Sequence, residues 1–497
     1  MARSETGHSA VGRSFSASCL TPPGRPLGLP PRGRKLAASA GYHGLEPQTR
    51  SLGYLTSLAV ESTVRALRGD PPAQTRECIQ HFFKEIGAVS WTLYLQLSAM
   101  MFLQFAIWGA WMPVLAPRLL GPLKMTGKQT GWIFATVPLA CIFAPLLAGQ
   151  IADRYLNTEW VLAGAHLLGA VLLFVAAKQE RFVPMFITML LYACCYAAAL
   201  PLVNSLMFFQ LGQVVAPEAI PVESGKIFIM APIGWALVGY FLTGWRQTRK
   251  IGGGGPDGFV LAAVLSVAMV GVCLLLPSTP PAPAVADQST AFSEMPIFKA
   301  LALLQNFDFL AFVVLSMVIA GMMQFYFMGT GPFMQDIGIS GSNVSGLMGI
   351  AQAAQAIATL FALGPLTDAI GFKWTLVVGA ACWLLLYVFY VYYPKPILVI
   401  IAQALHGIAY VTFLIAGQIF AGQFAPPAIG GSVQALIFTA TTGIGLFLGT
   451  QLAGIVIDRN TVEGRLQWKP LWSVPMWIMA VSVLALIVAF QGHLPAR

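Results

Sequence analysis

The chain has 497 residues, 57% of them hydrophobic and 9% charged, with a formal net charge of +9; an average soluble domain is about 45–50% apolar and about 25% charged. That balance argues against a water-soluble architecture, and the excess positive charge forms no basic domain with interleaved aromatics, so nucleic acid is not an expected partner. The seven cysteines are scattered, most inside apolar runs (Cys141, Cys194, Cys195, Cys273, Cys382), with no Cys/His spacing that makes a zinc site, so neither a metal nor a cofactor is expected.

Residues 1–88 are rich in Arg, Gly, Pro and Ser and hold eleven of the 28 Lys and Arg. Without a sustained apolar period they are expected to be a disordered basic tail. Apolar runs long enough to cross about 30 Å of hydrocarbon then follow at 91–117, 129–152, 159–177, 182–211, 227–245 and 258–277. After a Pro, Ala and Ser stretch from Pro277 to Pro296, six more follow at 309–335, 342–366, 374–393, 396–423, 431–457 and 470–490. The expected fold is an all-α membrane protein of about twelve transmembrane helices. Its halves would be 89–277 and 309–497, joined by a cytoplasmic linker at 278–308.

The two sets of six repeat one another. Gln104-Phe105 precedes Gly109 as Gln324-Phe325 precedes Gly329. Gly149 and Asp153 are followed by Trp160, and Gly364 and Asp368 by Trp374. Tyr192, Tyr196 and Asn204 match His406, Tyr410 and Gln418 at one offset of 214. Duplicated six-helix halves place a central site at the repeat interface, and rocking of one half against the other alternates access to it.

Chemistry is sparse. There is no persuasive Ser-His-Asp order, no His/Asp/Glu cluster and no phosphate-cradling loop, so an enzyme is not expected. Gly252 to Gly255 reads as a flexible turn. From Pro396 to Ile457 there is no Asp, Glu, Lys or Arg at all. Coupling to protons normally uses an ionisable group inside the membrane; His406 and His166 are the remaining candidates for a relay. The tryptophans Trp108, Trp111 and Trp132, close to span ends, read as anchors at the membrane interface.

The segment Gly149-Gln-Ile-Ala-Asp153-Arg154 resembles the loop signature of the major facilitator superfamily, with Gly364 and Asp368 as its counterpart in the second half. These five residues, Gly149, Asp153, Arg154, Gly364 and Asp368, are the candidate gating elements. A narrower resemblance is carried by FLQFAIWGAWMPVL (Phe102 to Leu115), ADRYL (Ala152 to Leu156), PLVNSLMFF (Pro201 to Phe209) and PIGW (Pro232 to Trp235), which look like the nucleoside:proton symporter family of that superfamily. The resemblance spans nearly all of the chain after the tail. It implies uptake of nucleosides through a cavity lined by rings and amides, with Trp235, Gln324, Gln352, Gln355, His406, Tyr410 and Asn204 as the candidate substrate contacts. An aromatic face beside amides suits a nucleobase or ribose, because π surfaces stack while amides donate and accept.

Three departures remove a charge that the family carries: Phe228 stands for an Arg, Gln355 for a Glu and Val411 for an Asp. Proton coupling is therefore the open part of the expectation. A carrier for another neutral solute such as a sugar, and a transporter-derived receptor, are the alternatives. The expected partners are a nucleoside-like solute, the lipid bilayer and a candidate co-transported proton, with the chain acting as a monomer in a bacterial inner membrane. The family orientation puts both termini in the cytoplasm, although the loops would then leave twelve Lys and Arg outside against five in the cytoplasmic loops and C-terminus, contrary to the positive-inside rule unless the basic tail decides the topology.

Overall fold

A computed structural model describes residues 89–281, 296–426 and 429–494. The expectation of a disordered tail, and most of the linker, lie outside the described residues. Twelve helices are long and apolar enough to cross a membrane: α1 Trp91–Leu120, α2 Gly127–Arg154, α3 Thr158–Ala177, α4 Phe182–Gly212, α5 Ile220–Arg249, α6 Asp257–Leu275, α7 Phe307–Asp336, α8 Gly341–Phe361, α9 Leu363–Tyr392, α10 Pro396–Phe424, α11 Gly430–Arg459 and α12 Trp468–Ala489. In hydrocarbon the backbone must satisfy itself, which leaves the helix as the spanning element.

Local chemistry marks several starts. Ser90 caps α1 by accepting from the Leu93 amide (3.2 Å), Asn306 caps α7 through Phe309 (3.1 Å), and Thr126 with Gln129 forms a capping box at α2. Two boundaries differ from the sequence reading. The first segment of α5 is already helical from Ile220, because Glu223 and Lys226 pair across one turn (2.7 Å) and the chain breaks only near Ile229. The helix α9 begins at Leu363 and bends at Gly371, whose φ of +71° only glycine adopts readily, so Gly364 and Asp368 sit in a helical segment and not in a loop.

Small residues set the close approaches. Two seams join the halves, α2 with α11 and α5 with α8, and these are equivalent under the repeat. A side chain at Gly131 would strike the Thr450 carbonyl, and one at Gly239 would strike the Ser345 carbonyl. Thr243 Oγ1 accepts from the Gly346 amide (2.8 Å) on the second seam. At the end of the bundle that carries the α1–α2, α5–α6, α7–α8 and α11–α12 connections, the halves touch. Asp458 accepts from the amides of Gly127 (2.5 Å) and Lys128 (2.9 Å), Gln247 donates to Asn343 (2.8 Å), and Gly253 lies against Gly341. The Gly252 to Gly255 stretch is thus a packing point between halves, and Gly254 also gives its carbonyl to Arg118 (3.3 Å).

At the opposite end nothing lies within 4 Å of a side chain built at Gly149, Gly225, Gly364, Gly430 or Gly431. The hydrogen bonds described between the halves lie toward the first end, which we term closed; the second is termed open.

Candidate functional site

Between the halves, Phe105, Trp108, Pro232 and Trp235 of the first face Met323, Phe327, Gln352, Gln355, His406 and Tyr410 of the second. Gln418, Phe438, Thr441 and Thr442 complete the wall toward the open end. They enclose about 140 Å³ that the centre of a water molecule can occupy, room for on the order of ten waters. No lining residue carries a formal charge.

The helices deliver these groups for definite reasons. Gly109 and Gly234 bring α1 and α5 together, so that Trp235 packs on the Gly109 backbone and its ring meets Phe327 edge-on (6.4 Å, 74°) across the seam. Gly407 lies against the α8 backbone at Ala351 and Gln355, which sets His406 beside Gln352 and Gln355. The two glutamines are three residues apart on one helix face, and among the described residues neither side chain has a hydrogen-bond partner. The helices α10 and α11 each carry a π-helical stretch here, Tyr410–Ile415 and Thr439–Gly445; such widened turns are frequent at functional sites.

His406 is held on three sides. Its ring stacks on Tyr326 (3.8 Å, 13°) and meets Phe327 edge-on (5.5 Å), while Trp383 Nε1 donates to its Nδ1 (3.1 Å). Tyr326 is fixed in turn by donating to Gln403 (2.8 Å), which donates to Tyr390 (2.8 Å).

Of the seven residues expected to contact a solute, Trp235, Gln352, Gln355, His406 and Tyr410 line this cavity. Gln324 and Asn204 do not. Gln324 is 3% exposed with its carbonyl unpartnered; its repeat twin Gln104 is also buried and reaches His166 Nε2 (3.0 Å) on α3. Asn204 is half-buried on α4 outside the cavity wall. Its twin Gln418 does reach the wall, as His406 and Tyr410 do where their twins Tyr192 and Tyr196 do not. His166, one of the two candidate relays, is buried in the first half and away from the lining.

The gating candidates are exposed or half-buried at the open end. Among the described residues Asp153, Arg154 and Asp368 form no ion pair or hydrogen bond across the halves. Phe228 packs edge-on against Phe208 (5.9 Å), and Val411 is fully buried behind the wall.

The reading of three tryptophans as interface anchors needs correction. Trp108 lines the cavity. Trp111 is 2% exposed and donates to Tyr192 (3.1 Å) inside the first half. Both lie on α1, whose inner face is covered by α4 and α5, and position along the sequence gave no sign of that face. Trp132 alone stays 41% exposed. Phe327, Phe438, Thr441 and Thr442 carried no sequence signal that separated them from ordinary span residues, and Phe105 was marked only as part of the repeat.

Comparison with known proteins adds a lineage. Residues 91–494 match the family model described as Nucleoside H+ symporter. The chain is 27% identical over 423 residues to the nucleoside permease NupG of Escherichia coli, covering 80% of this chain and 96% of that one. It is 26% identical over 395 residues to the xanthosine permease of the same organism, covering 77% and 92%. The crystal structure of the nucleoside transporter NupG superposes with a TM-score of 0.69 at 26% identity, over 80% of this chain and 99% of that one. A peptide transporter of the POT family, at 13% identity and a TM-score of 0.62 over 80% and 93%, shares the fold.

Proposed function

The chain belongs to the nucleoside H+ symporter family, and on that premise we propose that it carries nucleosides across the bacterial inner membrane, binding them in the cavity between its halves and exposing them to either side by rocking. The observation that carries this reading is the wall itself, with indole and phenyl faces from both halves set against two unpartnered amides. Rings of that kind stack on a base, and amides both donate to and accept from hydroxyls. Five of the lining residues, Trp235, Gln352, Gln355, His406 and Tyr410, act as solute contacts; Gln324 and Asn204 lie outside the wall.

The orientation with cytoplasmic termini places the closed end outside and the open end in the cytoplasm. Two of the cations counted outside are buried, Arg246 against Asp257 (2.6 Å) and Arg118 on the carbonyls of Gly254 and Ala177, so the loop imbalance against this orientation is smaller but keeps its sign. Gly149, Asp153, Arg154, Gly364 and Asp368 then face the cytoplasm, separated in this state, and come together when that end closes. The protein works as a monomer, since each chain builds a whole cavity.

Proton coupling is the family's description, and here the lining offers only His406 as a group that ordinarily titrates near neutral pH. Uptake of a labelled nucleoside by a transport-deficient strain, with and without a protonophore, tests solute and coupling together. Saturable uptake is expected; its absence for every nucleoside overturns the assignment, and uptake insensitive to the protonophore makes the protein a facilitator. The uncharged wall left by Phe228, Gln355 and Val411 favours one second reading, a carrier for another neutral solute such as a sugar. Competition by sugars and not by nucleosides would establish it.

A further inference from the structure

On the residues of the cavity wall, two fully buried polar atoms have no partner among the described residues, and both can only donate. The first is His406 Nε2. Trp383 lies behind the wall and its Nε1–H points at His406 Nδ1 (3.1 Å); an indole nitrogen is a donor only, so Nδ1 must be the acceptor and the proton of the neutral imidazole resides on Nε2. Nε2, on the ring edge away from Trp383, is buried and unpaired. A second proton, on Nδ1, would break the Trp383 bond. The second atom is Trp108 Nε1, contributed by the other half, also buried and without a partner.

Resting on the nucleoside reading, we propose that the cavity selects bases bearing a carbonyl at purine C6 or pyrimidine C4, through the fixed donors His406 Nε2–H and Trp108 Nε1–H. A buried donor left unpaired is costly, and more so than the bond it could make is favourable. A carbonyl oxygen projects beyond the ring edge and offers two lone pairs. An exocyclic amine at the same place brings hydrogen against hydrogen, so adenosine and cytidine are rejected by the same groups that accept inosine and uridine. Ribose hydroxyls fit this wall less well, since each also carries a hydrogen that needs an acceptor. The amide carbonyls of Gln352 and Gln355 on α8 supply those, which places the sugar toward α8 and the base edge toward Trp108 and His406.

The test is competition in proteoliposomes holding the full chain: inosine against adenosine, and uridine against cytidine, as inhibitors of labelled uridine counterflow. In each pair the oxo member is expected to compete at least tenfold more strongly. Equal competition, or preference for the amino member, overturns this inference and leaves nucleoside transport standing; failure of all four to compete overturns both. The substitution Trp383→Phe releases Nδ1 so that either ring nitrogen can carry the proton, and is expected to narrow the tenfold ratio with counterflow of uridine retained. An unchanged ratio in that variant removes the role given to His406.

Discussion

Single side chains decide what this wall can hold. Trp108, Trp235, Phe327 and Phe438 give flat faces, Gln352 and Gln355 give amides, and nothing gives a charge. Stacking of a base on an aromatic is worth about 1–3 kcal/mol, so Trp235→Ala is expected to raise the half-saturation concentration for nucleoside by roughly 5- to 150-fold, while Trp235→Phe keeps most of the affinity; equal affinity of both variants and the parent would place the base elsewhere. Gln355→Glu puts an ionisable group where the family carries one. A lone carboxylate is expensive in an apolar wall, so uptake by this variant is expected to be greatest at acid pH, where the group is protonated, and to fall as pH rises toward 8. Initial rates across pH 5 to 8 check it, and a flat profile would mean that the side chain does not face the solute path. The glutamine pair and His406 were legible through the family resemblance, and a spacing of three along one helix keeps the glutamines on one face. Gln324 was misread because being polar in a span does not say which way a residue points, and Trp108 because the partner helices that turn α1 inward are far away in sequence.

At the scale of elements, the spans were legible as apolar runs, and the short-range breaks were not. The Gly371 bend sits on a glycine and the π stretch Thr439–Gly445 holds three threonines and two glycines, weak helix formers, but such residues recur through the spans and do not single these positions out. The antiparallel hairpin Thr461–Val462 with Arg465–Leu466 between α11 and α12 was likewise unforeseen, although Glu463-Gly464 with both φ positive is turn chemistry that the sequence does contain. Two elements give direct tests. Gly407→Ala inserts a methyl into the α8 backbone and is expected to push Gln352 and Gln355 away from His406, lowering nucleoside affinity at least tenfold with little loss of folded protein; unaltered affinity would show that the α8–α10 approach does not shape the wall. Asp458 caps the start of α2 across the closed end, a charge-assisted bond at a helix N-terminus worth about 1–2 kcal/mol. In Asp458→Asn, spin labels at Lys124 and Glu463 are expected to show a larger share of long distances than in the parent. An identical distribution would mean that this carboxylate does not hold the end shut.

For the whole molecule, composition and repeat were enough to imply two six-helix halves around a central site, and residues such as Gly149 and Gly364 were enough to suggest which ends move. Sequence could not say which end is shut in the state described, because that depends on contacts such as Gly127 with Asp458 that join positions more than three hundred residues apart. Nor could it give the wall's composition, which draws on residues from Phe105 to Leu446. The account rests on the cavity between the halves being where a nucleoside sits as the bundle rocks. Counterflow with the purified chain in liposomes reads this without metabolism or a driving gradient: preloading with unlabelled uridine should cause a transient, saturable accumulation of labelled uridine that Trp235→Ala weakens. Liposomes that accumulate no label with any nucleoside inside, although the protein is folded and inserted, would contradict it.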